Sequence, residues 1–283
     1  MSSKFFHRGR VEGWGRVGHH ERCNRTETTN SPMAGSGTAW TTCNFDRERV
    51  LKRSFNSHQS GLSTMTMLGL ASRHIVKYLG DKRPLFVALQ GPQGSGKTFL
   101  AAQLQTRLQS PPNSLRVAVL SIDDLYLPHK DLVSLAASEN VLWKGRGLPG
   151  THDIDLGFKI FSNLVSRDGS FELPRFDKSL FNGEGDRLPM DGTGPVIIQP
   201  PPVDIVILEG WLVGFHPIPI DELLSRWHGV WKVESEKLGL NEPVTGRLAD
   251  IQAINDKLNG YIPLWNFFDV FIQVGAGSLN FLY

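Results

Sequence analysis

Hydrophobic and polar positions change rhythm along the chain. Through residue 60 neither a period of 2.0 nor one of 3.6 is sustained, and Gly, Ser, Thr, Asn and Arg dominate, as in RGRVEGWGRVGHHER and TETTNSPMAGSGT. From Leu62 onward, Met65, Leu68, Ile75, Val76 and Leu79 recur at near-helical spacing until Gly80-Asp81, which predicts a helix and its end. The uninterrupted apolar run Leu85-Phe86-Val87-Ala88-Leu89 has the pattern of a strand buried on both faces. After a glycine-rich turn, Leu100, Leu104 and Leu108 stand four apart and predict a helix closed by Pro111-Pro112. Val117-Ala118-Val119-Leu120 reads as a second strand, and residues 128–165 as mainly helical with a loop at GRGLPGTHD. GPVIIQPPPVDIVILEG holds two extended runs divided by prolines, of which Ile205–Leu208 is the better core strand. A helical region near 246–259 and a strand at Val270–Val274 follow. Strands alternating with helices predict an α/β fold: a doubly wound parallel sheet with helices on both faces.

Charge divides the chain at the same place. The first sixty residues carry ten Lys/Arg against five Asp/Glu, and the rest 20 against 23. Residues 1–60 are therefore expected to be a disordered basic extension, and 61–283 the folded domain. A mitochondrial targeting peptide is the alternative for the extension, opposed by Glu12, Glu21, Glu27 and the lack of a sustained amphipathic face. The net charge of +2 supplies no basic field for nucleic acid. Cys23 and Cys43 have neither disulfide-scaffold nor zinc spacing. No apolar run reaches the ~18 residues of a membrane helix. The expectation is a cytoplasmic protein with a small-molecule substrate, no nucleic-acid or membrane partner, and an oligomeric state that the sequence leaves open.

Candidate chemistry starts at Gly91-Pro92-Gln93-Gly94-Ser95-Gly96-Lys97-Thr98, which matches G-x-x-x-x-G-K-[ST] and lies between an apolar strand and an amphipathic helix. Small residues let backbone N–H groups turn around phosphate oxygens, and the following helix adds its positive end. Lys97 would reach the β- and γ-phosphates of ATP, and the Thr98 hydroxyl would ligand Mg2+. The fold class is thereby narrowed to a P-loop NTPase type. Ligands of such sheets bind outside the carboxyl ends of the strands. Two further strands end there in acids, one at Asp123-Asp124 and one at Glu209. Asp123 could accept a proton, Asp124 could contact the acceptor and Glu209 could hold the metal, although acids also cap the helices that follow strands. A guanine-reading NKxD motif is missing. The acid pair closely following the cradle points to transfer of the γ-phosphoryl group to a small hydroxylated acceptor.

SIDDLYLP, GRGLPGTHD, LPRFDKSLFNGEGDR, VILEGWLVGF and INDKLNGYIPLWNFFD together resemble the D-glycerate 3-kinase group of P-loop kinases, a group near uridine kinase, phosphoribulokinase and pantothenate kinase. The resemblance implies conversion of D-glycerate to 3-phosphoglycerate, with Asp123 as catalytic base and Glu209 in the magnesium-binding role. It also implicates Arg175, Asp177 and Lys178 in the acceptor pocket. A glycerate carboxylate suits arginine, so Arg146 and Arg175 are its candidate partners. His152 and Asp153 could hold acceptor hydroxyls, with capping of the next helix as the alternative for Asp153. Tyr126 could line the pocket or pack in the core. Trp211, Trp227, Trp231 and Trp265 are expected to pack, and GEGDR to form a mobile substrate loop. Group members continue past the strand at Val270–Val274 into an aromatic-Arg lid, whereas this sequence reads GAGSLNFLY. The expectation is thus a C-terminally incomplete domain with impaired catalysis. The competing readings are an ATP-binding protein whose output is a partner interaction, and a uridine- or pantothenate-type kinase.

Overall fold

The computed structural model describes residues 49–55, 60–80 and 84–276. Its strands are β1 (Val50–Phe55), β2 (Leu85–Gln90), β3 (Val117–Ser121), β4 (Gly169–Glu172), β5 (Phe176–Asp177), β6 (Asp186–Arg187), β7 (Val196–Gln199), β8 (Ile205–Gly210) and β9 (Val270–Ala276). The helices are α1 (Ser60–Tyr78), α2 (Lys97–Gln109), α3 (His129–Ala136), α4 (Ile154–Ser166), α5 (Ile220–Arg226), α6 (Lys232–Lys237), α7 (Glu242–Thr245), α8 (Leu248–Lys257) and α9 (Ile262–Trp265). One five-stranded sheet runs β1-β9-β2-β8-β3, and every pairing in it is parallel.

The apolar runs are continuous because alternate residues serve opposite faces. Leu85, Val87 and Leu89 pack with Ile205, Ile207, Val270 and Ile272 toward Met67, Ala71 and Ile75 of α1 and Leu100, Leu104 and Leu108 of α2. Phe86, Ala88, Val206, Leu208 and Phe271 turn the other way, toward Phe161 and Leu164 of α4 and Leu264 and Trp265 of α9. Both sides of a parallel sheet are thus covered, and its strands lose the polar alternation of a half-exposed sheet. Each fully buried leucine contributes roughly 1.5–3 kcal/mol to this arrangement. Among the described residues no helix is long and apolar enough to cross a membrane.

Two boundaries differ from those expected. Strand β1 lies inside the first sixty residues and pairs with β9 from Val50↔Phe271 to Phe55↔Ala276. Its VLKRSF sequence has too few apolar residues to show a period, so long-range pairing and not local pattern defines it. Residues 1–48, with both cysteines, and residues 277–283 lie outside the described residues. The helical expectation for 128–165 also holds only at its ends, in α3 and α4. Between them the chain is irregular and held by side chains: Trp143 Nε1 donates to Pro149 O at 2.9 Å, and Thr151 Oγ1 to Leu148 O at 2.7 Å. Of the tryptophans, Trp265 is buried, and its Nε1 donates to Phe215 O at 2.8 Å. Trp211, Trp227 and Trp231 are half-buried.

Candidate active site

Strand register assembles the site. Leu89 of β2 and Ser121 of β3 both stand opposite Glu209 of β8. The Gly91–Thr98 loop and Asp123 therefore emerge two residues beyond the same level, on either side of Glu209, at the carboxyl edge of the sheet. A cleft of about 920 Å³ opens there. Gln93, Gly94, Lys97, Thr98, Asp123, Tyr126, Arg146, Lys178 and Glu209 line it.

Glycines set the loop's shape. Gly94 and Gly96 have φ of 75° and 79°, in the left-handed region that side chains disfavour. At Gly91 the constraint is contact: a Cβ there would lie 2.6 Å from the Val274 carbonyl oxygen of neighbouring β9. Pro92 contributes its carbonyl, which accepts from Lys97 Nζ at 2.7 Å. Ser95 Oγ is buried and has no hydrogen-bond partner among the described residues, so the loop retains a donor for an oxygen-rich ligand. Burial lowers the Lys97 pKa, while the charges of Glu209 and Asp123 oppose that shift.

Opposite the loop, Thr98 Oγ1 donates to Glu209 Oε1 at 2.8 Å. Glu209 is buried, so its carboxylate has little water around it. A hydroxyl and an anionic oxygen side by side at the cleft fit a hard divalent cation. Asp123 sits on the 3-10 turn Ile122–Leu125, where Ser121 Oγ accepts its N–H at 3.3 Å. Its Oδ2 receives Lys178 Nζ at 2.5 Å. Tyr126 is buried beside Asp123, and burial first, then the Asp123 charge and their hydrogen bond, push its hydroxyl pKa well up. The Tyr126 ring stacks on His152 with centroids 4.5 Å apart.

Several expected acceptor residues do not line the cleft. Asp124 turns to the other side of β3, where its Oδ1 accepts Phe176 N–H at 3.2 Å and burial raises its pKa. Together with Arg175 it lines a separate groove of about 320 Å³. Arg175 Nη2 donates to Thr193 Oγ1 at 2.9 Å. Asp177 accepts from the backbone and hydroxyl of Ser179 (2.8 and 2.6 Å), and these bonds lower its pKa. His152 lies behind Tyr126, with Nδ1 2.8 Å from Tyr261 Oη. Asp153 caps α4 through Leu156 N–H and pairs with Arg187 at 2.7 Å. Capping, the alternative reading for Asp153, is what the structure shows. GEGDR is not a free loop, because β5 and β6 close it into a hairpin with Phe176 opposite Arg187 and Asp177 opposite Asp186. Conversely, His129 and Lys144 line the cleft without having stood out in sequence, and Trp211, expected to pack, and Glu184 of GEGDR line it too. No local motif marks His129, which opens α3, or Lys144, in the irregular stretch between α3 and α4.

No protein-family model matches the chain. An uncharacterized kinase of Schizosaccharomyces pombe is 33% identical over 232 residues, covering 77% of this chain and 76% of that relative. The structure of D-glycerate 3-kinase from Cryptococcus neoformans matches with a TM-score of 0.62 and 35% identity, over 78% of this chain and 75% of that one. The chain belongs to the D-glycerate 3-kinase group of P-loop kinases. A probable ATP-dependent kinase of Saccharomyces cerevisiae is 41% identical over 167 residues. That match takes in 54% of this chain and 56% of the yeast relative, so the chain spans little more than half of it.

Proposed function

We propose that the protein transfers the γ-phosphoryl group of ATP to a hydroxyl of a small anionic acceptor, with D-glycerate the favoured one. One observation carries this reading: a single cleft holds the cradle residue Lys97, the Thr98–Glu209 oxygen pair and an aspartate positioned by a lysine, Asp123–Lys178. The acceptor oxygen forms a bond to the γ-phosphorus, and the bond to the β–γ bridging oxygen breaks. The acceptor proton passes to the Asp123 carboxylate, and ADP leaves. Lys97 and the loop amides bind the phosphate oxygens, and the buried Ser95 hydroxyl is available to them. Thr98 and Glu209 would hold Mg2+, which when bound neutralises phosphate charge. Lys178 orients Asp123, and Lys144 adds a further positive charge to the cleft wall.

D-glycerate is favoured because its carboxylate would meet this basic lining, and because a relative of similar structure carries that activity in its name. The test is ADP release with ATP and Mg2+ over a panel of D-glycerate, pantothenate and uridine. Turnover dependent on D-glycerate, with phosphorylated glycerate as product, supports the proposal. ATP binding without turnover on any acceptor would refute it.

A further inference from the structure

Arg146, expected from its loop to meet a substrate carboxylate, instead directs its guanidinium at protein backbone. Nη1 donates to the carbonyl oxygens of Gly183, at 2.7 Å, and Glu184. The same group lies 5.5 Å from the centre of the Phe176 ring. All three contacts belong to one element, the β5–β6 hairpin of residues 176–187.

Other ties converge on that hairpin. His129 Nε2 and Glu184 Oε2 are 2.7 Å apart, and the His129 N–H donates to Asp186 Oδ1 at 2.7 Å. The His129 ring also stacks on Phe181 with centroids 3.7 Å apart. At the hairpin base, Phe176 N–H donates to Asp124. The tip needs such support, because Phe181, Asn182, Gly183 and Gly185 have φ of 49°, 55°, 94° and 79°. The first two are left-handed without being glycine, a conformation that persists only when its surroundings enforce it. The hairpin's cargo is Lys178, whose ammonium lies 2.5 Å from Asp123 Oδ2.

We propose that Arg146 is a positioning residue: it holds the 176–187 hairpin so that Lys178 stays against Asp123, and it does not serve as a ligand of the acceptor. The proposal rests on the kinase reading of this cleft. Arginine suits the role because Nη1 carries two N–H groups fixed in the guanidinium plane, one for each carbonyl, whereas a lysine ammonium rotates freely on its stem. Released from Arg146, the hairpin would leave Lys178 on a mobile segment and Asp123 without its paired ammonium. The chemical step would suffer, while acceptor affinity would hardly change.

The experiment combines amide hydrogen exchange over residues 178–187 with steady-state kinetics on R146A, R146K, K178A and R146A/K178A. In R146A, exchange in the hairpin should accelerate about ten-fold or more while α2 keeps its protection. Its kcat should fall by about 10–100-fold with acceptor KM within about three-fold of the wild type, the signature of a lost transition-state contribution. R146K should lie between the two, and the double variant should be little worse than the poorer single, since both act on one contact. Should R146A fail to fold, R146K and His129→Gln, which cuts another tie, carry the same comparison. Unchanged hairpin exchange, a ten-fold rise in acceptor KM with kcat preserved, or losses that multiply in the double variant would each overturn the proposal. A wild type without acceptor-dependent turnover would overturn the kinase reading and the catalytic part of the proposal. The exchange data would still decide whether Arg146 holds the hairpin.

Discussion

Acid should destabilise this protein through His152, and a single substitution should remove the effect. The imidazole is 5% exposed. Its Nδ1 shares Tyr261 Oη with the Gly150 N–H, and its Nε2 has no partner among the described residues. Protonating the ring would bury a charge with an unsatisfied N–H, and burial accordingly lowers the His152 pKa from 6.5 to about 3. The sign follows directly. Between pH 6.5 and 3 the unfolded chain binds a proton that the folded chain refuses, so stability falls as pH falls through that window. The slope is about 1.4 kcal/mol per pH unit, giving a loss of about 2 kcal/mol between pH 7.5 and 5. For a domain of this size that corresponds to a drop of about 4–8 °C in Tm. Asp124, whose pKa burial raises, acts in the opposite direction, so the quantity to read is the difference between variant and wild type. His152→Asn keeps a polar group near Tyr261 and cannot titrate. Melting curves from pH 7.5 to 5 should show the variant less stable at neutral pH but with a shallower acid decline. Parallel declines, or a His152 NMR titration near 6.5, would refute the reasoning.

Three further outcomes follow from the geometry. Gly91→Ala would push a Cβ against the Val274 carbonyl of β9, which cannot yield cheaply, so a cost of about 1–3 kcal/mol and at least about ten-fold weaker nucleotide binding are expected. Calorimetry with ATP and Mg2+ checks it. Asp153→Ala removes the cap of α4 and the partner of Arg187, and should lower stability in urea by about 1 kcal/mol or somewhat more while leaving acceptor KM near the wild-type value. A large KM effect would restore Asp153 as a substrate ligand. Leu104→Ala empties a fully buried position between α2 and the sheet, and should cost about 2–5 kcal/mol in the same assay.

The sheet was legible because its central strands are short apolar runs that end in chemistry. Leu85–Leu89 leads into the glycine loop, Val117–Leu120 into Asp123, and Ile205–Leu208 into Glu209. Adjacent β2, β8 and β3 then bring those ends together at one edge. Strand β1 was not legible, since VLKRSF owes its conformation to pairing with β9 and not to its own pattern. Acceptor-side residues were the hardest to place. Arg175, Asp177 and Asp153 have the right chemistry, yet their partners Thr193, Ser179 and Arg187 consume them first. Sequence shows which groups could reach a ligand, but not which neighbour reaches them first. Lys178 is the counter-example: it meets Asp123 across 55 residues of chain because the hairpin delivers it there.

The most direct test of the account is Asp123→Asn, measured for ATP binding and for acceptor-dependent turnover on the same preparation. Asparagine preserves size and a hydrogen-bond acceptor for Lys178, but it cannot take the acceptor proton. Turnover should fall by about 10²–10⁴-fold. ATP affinity should stay within a few-fold, because the Gly91–Thr98 cradle and the Thr98–Glu209 pair are untouched. Turnover that survives the substitution, or ATP affinity that collapses with it, would contradict Asp123 as the proton acceptor of a phosphotransferase.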